Sequence, residues 1–425
     1  MATKFVCWSL AALFTLGCSS SESGPALTAS SGASGATTSM GGAGVGGAAA
    51  GSGSAGAAVS VGGAGSSAGD TGGTGGANMT AGAGGNPGSS GNGGTAGSGP
   101  AALPALRWIG RVEPTANGAR LSWPGTGLSA RFNGTAAHVS LKTDGVDYFE
   151  VELDGQASML TTQAGSHVYD VAKNLSAGEH QLTLWRRTEP NHGVVEAGPV
   201  TFDGTLLAPP AASSKRLEIV GDSISVGFGI ECKTAGEAFS YATENNYLSY
   251  QALTARKLGA ELSSEAWSGI GMWRDVGGGS DPKSQMPDRF LYTIPGDASS
   301  VWDFSRYTPD AVLVLLGTND FAKGDPGQPF LDTYKTFVAS LRTHYPKARQ
   351  YYAVSPMLGG ASRTAHKAYL DKVVLARNAA GDLNVNVLEF APPASDAWGC
   401  GHPNAASHAI MAGVLEQALS KDLGW

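Results

Sequence analysis

Arg216-Leu-Glu-Ile-Val-Gly-Asp-Ser-Ile-Ser225 is a short apolar run that leads directly into Gly221-Asp222-Ser223. The run predicts a strand. The glycine-flanked turn after it would leave the hydroxyl of Ser223 exposed, which is one way in which proteins present a nucleophile. Gly, Asp and Ser are also ordinary turn formers, so the tripeptide alone also fits a simple strand-to-loop turn.

Strand and helix patterns alternate from Lys215 to the end of the chain. Further apolar runs of strand length are Ala260–Trp267, Ala311–Leu316, Tyr351–Val354 and Val385–Phe390. Apolar residues at helical spacing follow the second and third of these runs and also Asn404. This alternation predicts an α/β domain over residues 215–425. Its parallel sheet would be flanked by helices, with any active site at the C-terminal ends of the strands.

Polar residues with catalytic potential lie at those strand ends. Ser223 follows the first predicted strand, Gly269 the second, Asn319 the third, and His402 the fifth. Taken singly, Gly269 fits a turn glycine, Asn319 a loop amide and His402 a histidine near a helix start. Their common position at the strand ends of one sheet favours a shared site over coincidence.

These residue types suit acyl transfer. A serine hydroxyl is a weak nucleophile until a base removes its proton, and His402 can do so near neutral pH. Attack on an ester creates an oxyanion, which needs preorganised hydrogen-bond donors. The backbone N–H groups of Ser223 and Gly269 and the side-chain amide of Asn319 would supply three donors.

Residues 103–210 carry a different pattern. Runs such as Leu128–Phe132, Ala137–Leu141, Tyr148–Leu153 and His180–Trp185 alternate apolar and polar residues, and turn residues such as Asn133-Gly134 separate them. Short strands at this spacing predict an all-β sandwich of the jelly-roll type. Nothing in it has catalytic spacing, and it could bind a glycan or only support its neighbour.

The motifs around Ser223, Gly269, Asn319 and His402 resemble the four blocks of the SGNH (GDSL) hydrolase superfamily. The resemblance implies a flavodoxin-like α/β fold. It also implies that Ser223 and His402 are catalytic and that Ser223, Gly269 and Asn319 form the oxyanion hole. Ser225 stands where the Gly-x-Ser-x-Gly motif of α/β-hydrolases has its second glycine, which excludes that alternative.

A sandwich preceding such a domain resembles family 2 of the carbohydrate esterases. The same family is indicated by Trp123-Pro-Gly125, by Glu231-Cys232…Thr243-Glu-Asn245 and by Gly399-Cys-Gly-His402-Pro-Asn404. The resemblance covers nearly all of residues 103–425. It implies a serine esterase without a cofactor. Such an enzyme would remove O-acetyl groups from plant-wall glycans such as acetylxylan, often at the 6-position of the sugar.

One position departs from the superfamily pattern. The superfamily usually has an aspartate three residues before the histidine, and this chain has Gly399 there. Asp396 is the nearest carboxylate. The alternative, which we favour, is a Ser–His dyad whose histidine is held by a main-chain carbonyl.

Two cysteines flank the proposed catalytic pair. Cys232 lies nine residues after Ser223, and Cys400 lies two before His402. If the serine and the histidine meet, these two loops are close together, and we predict a Cys232–Cys400 disulfide. The alternative is a pair of buried free thiols.

Tryptophans offer possible sugar platforms near the same loops. Trp273, Trp302 and Trp398 follow or precede the catalytic motifs, and an indole face stacks well on the apolar face of a sugar. Trp398 and Trp273 are the predicted substrate-binding residues, although a tryptophan more often serves packing.

The N-terminal part of the chain predicts export. Residues 1–18 read as a lipoprotein-type signal peptide, with Cys18 as the lipidation site, although Thr15 replaces the usual leucine of that motif. Residues 19–102 are rich in Gly, Ala and Ser and predict a disordered tether. We therefore expect an envelope lipoprotein or a secreted protein that meets the membrane only through a lipid anchor.

Composition and motif spacing limit the classes of partner and ligand that we expect. A net charge of −7 without a basic run argues against nucleic acid as a partner, and no motif has the spacing of a metal site. We expect a monomer that acts on acetylated polysaccharide or oligosaccharide. Two alternatives stay open: an esterase for another acyl ester, such as a lipid or peptidoglycan O-acetyl group, and an inactive glycan-binding lipoprotein.

Overall fold

Two large sheets organise the part of the chain that the computed structural model describes, residues 106–425. The first sheet contains β1 (Arg107–Ile109), β2 (Glu113–Thr115), β3 (Gly118–Leu121), β4 (Gly127–Thr143), β5 (Tyr148–Leu153), β6 (Gln156–Thr161), β7 (Gly165–Ala172), β8 (Gly178–Arg186) and β9 (Val195–Leu207). The second contains β10 (Arg216–Gly221), β11 (Glu261–Ala266), β12 (Ala311–Leu315), β13 (Arg349–Val354) and β14 (Val385–Glu389). A short ribbon pairs β15 (Trp398–Gly399) with β16 (His402–Pro403).

Six α-helices and six short 3-10 helices complete the described elements. The α-helices are α1 (Ser223–Val226), α2 (Tyr250–Leu258), α3 (Met286–Arg289), α4 (Gly327–His344), α5 (Gly360–Ala379) and α6 (Ala405–Leu423). Among residues 106–425, none of the helices combines the length and the apolar character that a membrane span needs. The predicted signal peptide, the Cys18 lipidation site and the predicted linker of residues 19–102 lie outside the described residues.

The first sheet is antiparallel throughout and is built around the long strand β4. The sequence predicted two strands here, separated by a turn at Asn133-Gly134, and that prediction was wrong: one strand runs from Gly127 to Thr143. Its pairing with β9 shifts register between Gly134 and Ala136, so a bulge lets the strand bend and continue. The first half of β4 pairs with β8 and the second half with β7. The all-β prediction is confirmed, and the jelly-roll type stays a prediction.

The second sheet is parallel, in the order β11-β10-β12-β13-β14. Numbered along the chain this is the 2-1-3-4-5 order of flavodoxin-like folds. All five predicted strands are present in it. Strand residues alternate between its faces: Val312 and Val314 pack with α4 and α5, whereas Leu313 and Leu315 pack with α2 and α6. The prediction of a parallel sheet covered by helices is therefore confirmed.

Buried polar contacts tie the first sheet's layer to the second. Arg111, which follows β1, is fully buried and lies 2.8 Å from a carboxylate oxygen of Glu218 on β10 and 3.1 Å from one of Glu265 on β11. The indole N–H of Trp123 donates to the carbonyl of Tyr292 at 3.2 Å. These contacts hold the segments that follow β1 and β3 against β10, β11 and the segment that contains Tyr292.

Candidate active site

Ser223 lies where β10 ends and a short helix begins. Gly221 closes the strand, and Asp222 caps α1 by accepting a hydrogen bond from the N–H of Ile224 at 3.1 Å. Ser223 is the first residue of that helix and is 5% exposed. Burial raises the pKa of Asp222 to about 7. The strand and the cap together fix the backbone that carries the hydroxyl.

The imidazole of His402 faces that hydroxyl. Its Nε2 lies 2.9 Å from the Oγ of Ser223, and its Nδ1 lies 3.4 Å from the carbonyl oxygen of Cys400. Burial lowers the pKa of His402 below its usual value of 6.5. The ring is therefore neutral at neutral pH and can accept a proton from Ser223.

A main-chain carbonyl, rather than a carboxylate, occupies the other side of the imidazole. Within the described chain the hydrogen bonds of His402 go to Ser223 and Cys400. Asp396 is exposed, and its backbone carbonyl accepts from Asn404 at 3.4 Å. This geometry is the one expected of a Ser–His dyad.

The predicted disulfide is present. Cys232 and Cys400 are bonded, with Cα atoms 5.7 Å apart. Backbone hydrogen bonds join the same two loops, from Cys400 N–H to the carbonyl of Thr234 at 2.8 Å and from Ala405 N–H to that of Ile230 at 3.1 Å. The loop after the nucleophile and the loop before the histidine therefore form one covalently closed unit.

Gly269 lies in a loop whose neighbouring amides are fixed. The N–H of Trp267 donates to the carbonyl of Gly221 at 3.2 Å, which keeps this loop beside the turn of Ser223. Gly269 has a φ of +77°, a left-handed conformation that favours glycine. Its carbonyl accepts from Val276 N–H at 2.9 Å. In the described part of the chain, the N–H of Gly269 has no acceptor and is available to a ligand.

Asn319 reaches the same loop from the end of β12. It is 7% exposed, and its Nδ2 donates to the carbonyl of Ile270 at 2.8 Å, which leaves its second amide hydrogen free of that bond. Gly317 lets the chain pass close to the buried His366, because a Cβ at Gly317 would lie 2.4 Å from the imidazole Nε2. The structure thus brings Asn319 next to the Gly269 segment, as the sequence predicted.

Asp320 is a buried residue whose role no sequence pattern predicted. Its carboxylate accepts hydrogen bonds from three successive N–H groups, those of Met272, Trp273 and Arg274, at 2.8–2.9 Å. Burial nevertheless raises its pKa. Asp320 fixes the loop after Gly269 to the loop that carries Asn319.

The three tryptophans differ in their surroundings. Trp398 is half-buried and pairs across the ribbon with Pro403, one residue from His402. Trp273 is half-buried and packs against the core next to α4, with the guanidinium of Arg274 5.4 Å from its ring. Trp302, which is not among the predicted substrate-binding residues, is only 4% exposed and is part of the interior.

A row of half-buried rings, which no sequence pattern predicted, extends from His402. Phe228 lies 4.5 Å from His402 and stacks on Phe239 at 3.7 Å between ring centroids. Tyr241 is 5.3 Å from Phe239 and 4.0 Å from His192, which belongs to the first sheet's layer. No periodicity in the sequence links these residues, because the row is assembled from three separate loops.

No metal site is evident among the described residues. Residues 106–425 contain no group of three or more His, Cys, Asp or Glu side chains placed to hold an ion.

Two family models match the chain, one over each sheet. The model described as "Carbohydrate esterase 2 N-terminal" matches residues 108–210. The model of the "GDSL-like Lipase/Acylhydrolase family" matches residues 219–410. The second match contains all four motifs that carry the proposed chemistry.

Curated relatives and solved structures show the same similarity. The chain is 35% identical over 329 residues to the cellulase/esterase CelE of Acetivibrio thermocellus, covering 76% of this chain but only 40% of that longer protein. It is 28% identical to an acetylxylan esterase / glucomannan deacetylase of Cellvibrio japonicus, covering 84% of it. A family two carbohydrate esterase from Clostridium thermocellum, solved in complex with cellohexaose, superposes with a TM-score of 0.72 at 35% identity. The match covers 76% of this chain and all of that one.

Proposed function

The chain belongs to family 2 of the carbohydrate esterases, and on that premise we propose that it removes O-acetyl groups from plant cell-wall polysaccharides. The single observation that carries this proposal is the 2.9 Å contact between the Ser223 hydroxyl and the His402 imidazole. A hydroxyl and a neutral base at hydrogen-bond distance are the minimal requirement for nucleophilic catalysis of ester hydrolysis.

The reaction we propose has two steps at these residues. Ser223 Oγ attacks the acetyl carbonyl carbon while its proton passes to Nε2 of His402. The negative charge on the carbonyl oxygen is stabilised by the N–H groups of Ser223 and Gly269 and by the amide of Asn319. His402 then protonates the departing sugar oxygen, which leaves an acetyl-Ser223. Water, deprotonated by His402, attacks this ester and releases acetate, and the proton returns to Ser223.

The relatives and the surface near His402 support the proposed substrate class. One relative carries the name acetylxylan esterase / glucomannan deacetylase, and another was solved with a β-linked glucan oligosaccharide. We propose acetylated hemicellulose such as acetylxylan, with acetyl groups at the 6-position among its targets. The half-buried Trp398 and Trp273 would contact the sugar, and no cofactor takes part.

The cellular location and the oligomeric state of the enzyme are part of the same proposal. The N-terminal sequence supports export and attachment of Cys18 to lipid, followed by the tether of residues 19–102. We propose a monomeric envelope or secreted protein whose first sheet is a jelly-roll sandwich. The net charge of −7 argues against nucleic acid as a partner.

Acetate release tests this function directly. The purified protein is incubated with acetylated xylan, acetylated glucomannan and cellulose acetate, and acetate is measured enzymatically. Ser223→Ala should abolish release, whereas Ser340→Ala, which removes an exposed hydroxyl from α4, should leave it unchanged. Equal acetate release by the Ser223→Ala protein and by the unsubstituted protein would refute the serine mechanism.

The alternatives give different results in the same assay. An esterase for lipid or other acyl esters would hydrolyse long-chain 4-nitrophenyl esters faster than the acetate ester. An inactive glycan-binding protein would release no acetate from any substrate but would still be retained by acetylated xylan in a pull-down.

A further inference from the structure

Two side chains of the first sheet's layer contact the loop that carries Gly269. Glu189 and Asn191 lie in the connection between β8 and β9. A carboxylate oxygen of Glu189 accepts a hydrogen bond from the N–H of Ser268 at 2.6 Å. The side-chain oxygen of Asn191 accepts one from the indole N–H of Trp267 at 2.7 Å. The residues immediately before Gly269 are therefore held from outside the α/β layer.

Glu189 is itself fixed in place. It is 1% exposed, and its own N–H donates to a carboxylate oxygen of Glu244 at 2.8 Å. Burial raises the pKa of Glu189 and also that of Glu244. Burying a carboxylate costs free energy unless its oxygens accept hydrogen bonds. The hydrogen bond from the Ser268 N–H offsets part of this cost for Glu189.

The Glu189 contact lies one peptide group before the one that carries the Gly269 N–H. The peptide group between Ser268 and Gly269 carries that N–H, and its orientation depends on the backbone of both residues. The N–H of Ser268 is fixed by Glu189, and that of Trp267 by the carbonyl of Gly221. We propose that Glu189 is a positioning residue that aims the Gly269 N–H at the oxyanion. This makes the first sheet's layer part of the catalytic apparatus, and it rests on the esterase function proposed above.

Kinetics of Glu189 variants test the proposal. Glu189→Ala should lower kcat for 4-nitrophenyl acetate at least tenfold, about 1.4 kcal/mol of barrier, with KM within twofold, because the oxyanion forms only during reaction. Glu189→Gln keeps an acceptor oxygen and should stay within threefold of the parent. Asn191→Ala, at an exposed position, should fold normally and show a smaller loss of kcat.

A matched control separates positioning from stability. Glu152 accepts a hydrogen bond from the hydroxyl of Tyr247 at 2.5 Å, so it also joins the two layers. Among the described residues, its side chain has no hydrogen bond to the Gly269 loop. Glu152→Ala should lower the melting temperature and leave kcat per folded molecule unchanged. If Glu189→Ala behaves in the same way, with kcat per folded molecule equal to the parent, the positioning role is refuted.

Hydrogen exchange gives a readout that does not need activity. In the parent, the N–H of Ser268 is protected by Glu189, and a peptide spanning residues 267–274 should exchange faster in Glu189→Ala but not in Glu152→Ala. Equal exchange in the parent and Glu189→Ala overturns the inference whether or not the parent is an esterase. If the unsubstituted protein has no activity on any acetyl ester, only the proposed function is contradicted.

Discussion

Gly399 packs against the backbone of Cys232 so closely that a Cβ at Gly399 would lie 2.5 Å from the Cys232 carbonyl oxygen. The same Cβ would be 2.8 Å from the carbonyl oxygen of Gly229. Real Cβ atoms do not approach backbone oxygens at these distances, so this position cannot accept a side chain without moving the loop. The absence of an aspartate three residues before His402 is therefore coupled to the packing of the disulfide loop.

This packing predicts how removing or adding a carboxylate near His402 affects activity. Asp396→Ala should retain activity within a few fold, because Asp396 is exposed and the Nδ1 of His402 faces the carbonyl of Cys400. Gly399→Asp should not improve kcat, since its side chain would displace the loop that carries His402. Both effects are measured as kcat and KM for 4-nitrophenyl acetate. A loss of a hundredfold or more in Asp396→Ala would show that this carboxylate orients His402 after all.

The pH profile follows from the burial of His402. The base must be neutral to accept the proton of Ser223, and burial lowers its pKa below 6.5. Activity should therefore be lost as the pH falls through a value below 6.5, and be retained between that value and neutral pH. The measurement is kcat/KM against pH by direct acetate detection, with Ser223→Ala as the blank. An acidic limb with an apparent pKa above 6.5 would contradict the environment described for His402.

Asn319 should contribute to the transition state rather than to substrate binding. Removing one oxyanion donor typically costs about 10²–10³ in kcat, so Asn319→Ala should show a loss of that order with KM nearly unchanged. Part of the loss would reflect the missing bond to Ile270. Asn386→Ala, which removes an amide that donates to Asp422 at 3.1 Å, is the control and should be neutral. A rise in KM without a fall in kcat would assign Asn319 to ground-state binding instead.

The α/β layer could be predicted from sequence because its signals are local. Each parallel strand is a largely apolar run, each long helix has an apolar stripe, and the candidate catalytic residues follow the strand ends. The long strand β4 could not be predicted, because Asn133-Gly134 is a strong turn signal. Only the pairing of β4 with β8, β7 and β9 along its length keeps the chain extended there.

Sequence could predict those site residues whose type alone indicates a chemical task, such as a nucleophile or a base. The contact between Ser223 and His402 and the disulfide could be predicted from motif chemistry and from the proximity that the motifs require. Glu189 and Asp320 could not be predicted, because an acidic residue that binds backbone N–H groups has no sequence pattern of its own. Their hydrogen bonds join residues 79 apart, for Glu189 and Ser268, and 46 to 48 apart, for Asp320 and the loop it binds.

Removing the disulfide should affect both stability and activity. It closes a loop between residues 168 apart in sequence, and loss of a native disulfide typically costs about 2–5 kcal/mol of unfolding free energy. The double variant Cys232→Ser/Cys400→Ser should therefore unfold at lower denaturant concentration. It should also lose kcat, since the loop of His402 is no longer tied to that of Ser223. A reducing agent should reproduce the effect in the parent and have none in the double variant; an unchanged denaturation midpoint would contradict the prediction.

The buried cluster of Arg111, Glu218 and Glu265 should make stability depend on pH. All three side chains are fully buried, with one cation for two carboxylates, and burial raises the pKa of Glu265 from 4.5 to about 8. Between these values the folded protein holds a proton that the unfolded chain releases, so the contribution of Glu265 to stability is present below pH 4.5 and is lost as the pH rises towards 8. Glu265→Gln keeps the shape without the titration, and its unfolding free energy should fall less over this range than that of the parent. Glu261→Gln, which alters a half-buried ion pair with Arg107, is the control. Parallel curves of unfolding free energy against pH for Glu265→Gln and the parent would show that Glu265 does not take up this proton.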